Sequence, residues 1–312
     1  MGTTYHVKYR PTSSLTVSPD SLKAKIDSVL LEVNRQMSIY LWNSEITAFN
    51  NSQSINPFPV SREFAYVVER ALHWSRLTKG AFDITVFPLL FLWGFGPGQG
   101  ADTPSSFPTP SDVEKHLSHV GYQKLNLQDN RLTKTDPYVR IDLNAIAKGF
   151  GVDAVFDYLQ SLAIAHMMVE IGGEVRVRGK NQRDQPWIIA IEGPDLSSDA
   201  GKGFEWVCEL EAGAAATSGD YRNFFEIDGE IFSHVIDPRT GYPAQTQVAS
   251  ATVTAPNCTD ADALATALMV MGEKEGLQLV ELIDGVEAFL ILREEKGQFR
   301  WVKSSGMKIR QP

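Results

Sequence analysis

Apolar residues recur every three or four positions across residues 19–37, at Leu22, Ile26, Val29, Leu30, Val33 and Met37, which predicts an amphipathic helix. Ser18 is placed to cap it, and Pro19 suits its first position. Residues 62–78 repeat the pattern with Phe64, Val67, Val68, Ala71 and Leu72; Ser61 would cap this second helix and Gly80 close it. Residues 95–104, rich in Gly and Pro, read as a loop. Ser111 and Glu114 have capping-box spacing and start a third helix. Residues 138–143 are short and extended in character, and 145–162 are helical again through Val152, Val155, Phe156, Leu159 and Leu162. The pattern then switches. From Met167 to about residue 253, short alternating runs separated by Gly, Asn and Asp predict an antiparallel sheet. Residues 259–271 form a helix that stops at Gly272, residues 274–283 another, and a hairpin around Lys296-Gly297 ends the pattern. Helices and strands are segregated, so the expected fold is α+β: antiparallel sheets with packed helices.

Composition narrows the function. The 312 residues carry 29 basic and 38 acidic side chains, net −9, which argues against nucleic-acid or anionic-membrane binding driven by bulk charge. The longest apolar stretch, near Phe87 to Trp93, is far short of the roughly 20 residues of a membrane span. Cys208 and Cys258 form no CxxC pair, which excludes a zinc ribbon and leaves either one disulfide or, the favoured reading, two buried free thiols.

Five segments hold more Gly, Asp, Thr and His than packing needs. Gly80-Ala81-Phe82-Asp83-Ile84-Thr85-Val86 is either a helix stop leading into a strand or a turn where a flat ligand meets the backbone. In Asp142-Leu143-Asn144-Ala145-Ile146-Ala147-Lys148-Gly149, either Asp142 or Asn144 simply caps a helix, or the free N–H groups and Lys148 attract phosphate. Glu170-Ile171-Gly172-Gly173-Glu174 reads as a turn between strands. Ala216-Thr217-Ser218-Gly219-Asp220-Tyr221-Arg222 precedes His234, which enters the turn Asp237-Pro238-Arg239-Thr240-Gly241. His73, His116 and His119, on or beside helices, are weaker catalytic candidates than His234. In Asp260-Ala261-Asp262-Ala263-Leu264-Ala265-Thr266, Asp262 and Thr266 share one face of an apolar helix, where either Thr266 bonds back to its own helix and Asp262 caps a neighbouring loop, or the two hold a metal ion. A carboxylate with a hydroxyl is an oxygen set suited to Mg²⁺ rather than Zn²⁺. Together these point to phosphoryl or nucleotidyl chemistry on a diphosphate.

In this order the motifs Gly-Ala-Phe-Asp, Asp-Leu-x-Ala-Ile-Ala-Lys-Gly, Ala-Thr-Ser-Gly-Asp-Tyr, His-x-Ile-Asp-Pro-x-Thr-Gly and Ala-Asp-Ala-Leu-x-Thr resemble the FAD:protein FMN transferases, the ApbE-type flavin transferases, over nearly the whole chain. The resemblance implies Mg²⁺-dependent cleavage of FAD. FMN is joined through a phosphoester to a Thr or Ser hydroxyl of a target flavoprotein bearing an Asp-x-x-Thr/Ser-Gly-Ala-Thr/Ser type motif, and AMP leaves. It implies flavin-nucleotide contacts at Met1, Tyr40, Ala81, Phe82, Asp83, Asp142, Lys148 and Ile236, and metal ligands at Asp262, Thr266 and the Ala145 carbonyl. Tyr40 and Phe82 would offer aromatic surface to the ring system, and His234 is the candidate general base.

The resemblance further implies one flavin transferase unit over 1–312, with a helix-rich part at 1–165 and a strand-rich part at 166–312 sharing one cleft. It also implies a periplasmic lipoprotein whose leader lies outside this sequence. Three positions depart from the pattern: Ala265, where some relatives have an acidic residue, Phe87 and Asn144. The turn at Asp237 resembles the target motif but breaks at Tyr242, so self-modification at Thr240 is not expected. The alternatives are an FAD pyrophosphatase that yields FMN and AMP, and a non-catalytic flavin-binding protein.

Overall fold

The structure, a computed structural model, describes residues 2–11, 17–97, 107–193, 204–220, 224–227, 230–295 and 298–311. The chain begins with strand β1 (Tyr5–Tyr9) and helix α1 (Pro19–Met37), where the Ser18 side chain accepts the Ser21 N–H as a cap. There follow α2 (Glu45–Asn51), β2 (Phe58–Pro59), α3 (Arg62–Leu77), α4 (Phe87–Leu92), α5 (Pro110–Leu117), β3 (Leu125–Gln128), β4 (Arg131–Lys134) and α6 (Asn144–Ser161). The strand-rich part runs β5 (Met167–Ile171), β6 (Glu174–Arg178), β7 (Trp187–Glu192), β8 (Phe204–Leu210), β9 (Ala212–Gly219), β10 (Phe224–Ile227), β11 (Glu230–Ser233) and β12 (Val248–Ala255). Helix α7 (Cys258–Val280) precedes β13 (Glu287–Arg293), β14 (Phe299–Lys303) and β15 (Ile309–Arg310). The class is α+β, as the segregation of patterns predicts.

Local chemistry accounts for where the sequence reading holds and where it slips. Gly272 leaves helical geometry at φ 77°, ψ −178° and breaks α7 at the predicted stop. The third helix starts two residues early: Thr109 and Asp112 make the capping box, with Pro110 in the first turn. Ser61 stands at the start of α3 but its hydroxyl makes no cap bond; its amide instead donates to Glu45 Oε1 at 2.6 Å. After Asp83 the chain forms a tight 3₁₀ turn (Ile84–Val86) and then α4, not a strand, because Asp83 Oδ1 accepts the Thr85 N–H and curls the backbone. Both cysteines are buried free thiols. The loop expected at 95–104 and the Lys296-Gly297 turn lie partly or wholly outside the described residues.

Seven antiparallel strands form the central sheet, ordered β1-β5-β6-β9-β12-β13-β14. One face packs on helices. Ala216, Ala251, Val253, Ala288 and Leu290 meet Ala261, Ala263, Leu264, Ala267 and Leu268 of α7 in one core. Alanines on both sides let helix and sheet approach closely. The other face, through Val175, Val177, Phe289 and Ile291, packs on Ile189 and Cys208 of a small sheet, β15-β8-β7.

Helices α6 and α7 cross in near contact. A Cβ on Gly149 would lie 2.3 Å from the Cys258 carbonyl oxygen and 2.8 Å from Asp262 Cβ. Asp153 of α6 accepts the Cys258 and Thr259 N–H groups at 2.9 and 2.8 Å and the Thr259 hydroxyl at 2.6 Å, so one helix caps the other. Gly149→Ala is therefore expected to cost at least about 3 kcal/mol, the upper range of overpacking, because its obstacle is backbone. Thermal or denaturant unfolding of this variant checks it; a midpoint equal to wild type would mean the crossing is looser than described.

Candidate functional site

The site begins with a segment that has no regular structure of its own. Buried Asn50 clasps the backbone of Ile141 on both sides, its Nδ2 donating to the carbonyl and its Oδ1 accepting the amide, each at 2.8 Å. This holds residues 139–142 straight into α6. Asp142 then accepts the Asn144 N–H at 2.6 Å and, more weakly, the Asn144 side-chain amide at 3.2 Å. Asp142 thus satisfies the first amide of α6 from just before the Leu143 cap position, while the Ile146 and Ala147 amides donate to the Leu143 carbonyl at 3.0 and 2.8 Å.

Burial raises the Asp142 carboxyl to about 6, against the two Asn144 bonds that favour its ionised form. The folded protein thus holds a proton between about pH 4 and 6 that the unfolded chain has released. Its stability falls as pH rises through that window, by up to about 3 kcal/mol. Asp142→Asn should accordingly melt higher than wild type at pH 7.5, with the gain vanishing near about pH 4. Parallel melts at the two pH values test it; a gain independent of pH would contradict the burial argument.

Residues 80–86 form the second wall. Asp83 is buried, and its two oxygens accept three bonds: Thr85 N–H and hydroxyl on Oδ1, at 2.8 and 2.6 Å, and the Tyr122 N–H on Oδ2 at 2.6 Å. Even so, burial pushes its carboxyl up. The Phe82 ring lies in the core at 3% exposure, which corrects the expectation that it offers aromatic surface; only its backbone is left for a ligand. Ala81 and Ile236 are also buried. Tyr40 is different: 65% exposed, with its phenol raised by partial burial and then by the Asp142 charge, it is the aromatic surface beside the α6 start. Met1 lies outside the described residues.

At the α6–α7 crossing, charges gather. Lys148 Nζ donates to Glu174 Oε1 at 2.7 Å and lies 3.5 Å from Asp262 Oδ1. Asp262 Oδ2 accepts the Gly149 N–H at 2.8 Å. In a regular helix that amide serves the Ala145 carbonyl, so Asp262 and Ala145 converge on one donor. Burial pulls the Lys148 ammonium down, but Asp262 and Glu174 outweigh it and hold it above the ordinary lysine value. Burial, then the Asp262 charge, pushes the Glu174 carboxyl up. One turn along α7, Thr266 Oγ1 is 3.0 Å from Ser218 Oγ.

Direct contacts join all five sequence segments. Asp142 N–H donates to the Ile84 carbonyl at 2.7 Å, which links the first two. Lys148 links the second to Glu174 and to Asp262, and Ser218 links β9 to Thr266. The Asp237 turn closes on the first: a Cβ on Gly80 would lie 3.7 Å from Arg239 Cγ. Inside that turn Arg239 pairs in a fork with Asp237, and Trp93 Nε1 donates to the Gly241 carbonyl. His234 follows β11 with its ring edge-on to Phe95, centroids 6.2 Å apart. His119 lies just past α5, paired with Asp136 at 2.8 Å.

In sequence, Glu174 reads only as the edge of a turn. In Glu174-Val175-Arg176-Val177-Arg178 the polar residues alternate with valines and suggest a solvent face. That face packs on α6 instead, where Glu174 meets Lys148 and Arg176 meets Asp153 at 2.9 Å. The usable signal was the reciprocal one: Lys148 and Asp153 on an otherwise apolar helix need partners. Among the described residues no three of His, Cys, Asp and Glu gather as a metal cluster, so any cation here relies on Asp262 with neutral oxygens.

Known proteins align with this arrangement. The ApbE family profile matches residues 1–290. An FAD:protein FMN transferase of Vibrio cholerae is 43% identical over 305 residues, spanning 98% of this chain and 89% of that protein. One of Haemophilus influenzae is 42% identical, spanning 95% and 86%. The solved flavin transferase ApbE from Vibrio cholerae superposes with a TM-score of 0.87 at 42% identity, covering 98% of this chain and 94% of that one. The apo flavinyl transferase ApbE of Pseudomonas stutzeri gives 0.86 at 35% identity, covering 98% and 92%. With nine-tenths of its length matched and the five motif segments joined in one site, the chain belongs to the ApbE family.

Proposed function

We propose that this transferase moves FMN from FAD to a Thr or Ser hydroxyl of a target flavoprotein and releases AMP. The observation that carries the reading is the α6–α7 crossing, where Asp262, Lys148 and the first turn of α6 face one another across a glycine. The names of the relatives, FAD:protein FMN transferases, support it.

The donor set fits Mg²⁺. Asp262 supplies one carboxylate, Thr266 a hydroxyl, and Ala145 a carbonyl whose helical amide is drawn toward Asp262. All are hard oxygens, too few to cage an ion, which suits a cation that keeps waters and shares substrate phosphates. Once bound, Mg²⁺ offsets the charge of the pyrophosphate and of the departing AMP.

The chain's own residues do the rest. The positive end of the α6 dipole and the Lys148 ammonium hold the diphosphate. Tyr40, exposed beside Asp142, provides a surface for a flat ring, and the backbone of residues 81–83 forms the opposite edge. His234 withdraws the proton of the target hydroxyl as its oxygen bonds to the FMN phosphorus; the bond from that phosphorus to the bridging oxygen breaks, and AMP carries the oxygen away. Such transfers need mainly positioning and electrostatics, which suits a site built on rigid helix starts.

The test mixes the full chain with FAD, Mg²⁺ and a small flavoprotein domain bearing the Asp-x-x-Thr-Gly-Ala-Thr motif, followed by mass spectrometry of the domain. The expected result is addition of one FMN. AMP release with no adduct would recast the protein as a pyrophosphatase, and neither product would leave it a flavin binder.

A further inference from the structure

We propose that Glu174 is a positioning residue that draws the Lys148 ammonium away from Asp262 and leaves Asp262 Oδ1 open to a divalent cation. This rests on the reading of Asp262 as a metal ligand. The distances carry the argument. Lys148 Nζ makes a short bond of 2.7 Å to Glu174 and stops at 3.5 Å from Asp262, beyond good hydrogen-bond length. The other Asp262 oxygen is tied to the Gly149 amide, so Oδ1 is the oxygen left for an ion, and Lys148 is poised to compete for it.

Glu174 is built for this pull. It is 3% exposed at the start of a central strand, after a Gly172-Gly173 turn whose positive φ values of 64° and 107° bring it up sharply against α6. Arg176, the next residue on its face, is engaged with Asp153 and Asp157 and does not share it. Among the described residues, Glu174 Oε2 is a buried atom with no hydrogen-bond partner. A carboxylate kept buried and half-satisfied is a poor stability device. With Glu174 gone, the ammonium closes on Asp262, and cation and lysine then compete for one oxygen.

The experiment titrates Mn²⁺, a hard stand-in for Mg²⁺, into the full chain without FAD and reads free Mn²⁺ by electron paramagnetic resonance. Wild type should bind and Asp262→Asn should not. Glu174→Gln and Glu174→Asp should each weaken binding about 10- to 100-fold, the usual effect of removing a group that orients a ligand. Glu174→Asp keeps the charge but shortens the reach, so it separates position from charge. Adding Lys148→Met to Glu174→Gln should restore affinity. Wild-type affinity in both Glu174 variants, or in Glu174→Asp alone, overturns the proposal while Asp262 keeps its role. Undiminished binding in Asp262→Asn overturns the metal reading and the proposal with it.

Discussion

Replacing Asp262 by Asn is expected to slow flavin transfer about 100- to 1,000-fold, comparable to deleting one preorganised electrostatic group at a reacting centre. The fold should survive. The amide oxygen of Asn can still accept the Gly149 N–H, and Lys148 keeps its bond to Glu174. What disappears is the charge proposed to draw a cation to the α6–α7 crossing. Rate of FMN addition to the target domain is the readout, alongside a melting curve to show the variant is folded. A folded Asp262→Asn enzyme with the wild-type rate would remove the crossing from the chemistry. Undiminished FAD binding with no dependence on this residue would instead describe a flavin carrier.

The second large effect concerns the proton. His234→Ala should lower the transfer rate about 100- to 10,000-fold while leaving FAD affinity unchanged, the range of a positioned general base. His234 lies beside Phe95 at the entry to the Asp237 turn, and Gly80 ties that turn to the wall formed by residues 80–86. It is therefore carried by a different part of the chain from the residues proposed to hold the diphosphate, and binding and proton removal should separate cleanly. The acid limb of the pH–rate profile, where a histidine base becomes protonated, should flatten in the variant. An unchanged rate or an unchanged profile would assign the base elsewhere.

Much of this was legible in the residues. Helices α1 and α3 carry strong 3.6-residue periodicity, whereas α6 is apolar nearly all round; the boundaries of all three fall within about two residues of the pattern, the normal fraying of such limits. The Gly272 break was readable because glycine is the residue that adopts a positive φ without strain. Asp262 and Thr266 stood out since a carboxylate on an alanine-rich helix demands a partner.

The rest depended on long-range packing. Asp83 and Asp142 each accept an amide two residues on, a local option open to any Asp before a turn, but Asp83 also accepts the Tyr122 N–H, a long-range bond that no local signal announces. Phe82 looked like a stacking ring, but no periodicity tells which way a single ring faces in an irregular segment. Glu174 was hidden because strand alternation marks faces and does not say which face is covered. The Asn50 clasp on Ile141 joins positions 91 residues apart, and no local signal announces it.

The Asp153 cap on α7 ties the cleft to the order in which the chain folds. Its carboxylate and the Cys258 amide it receives are 105 residues apart, with most of the central sheet between them. The first turn of α7 gains this partner only when a long stretch of chain has closed, and such contacts are slow to form. Asp262 sits one turn farther along the same helix. If Asp262 holds a cation as proposed, cation binding should appear on refolding only once α6 and α7 have met.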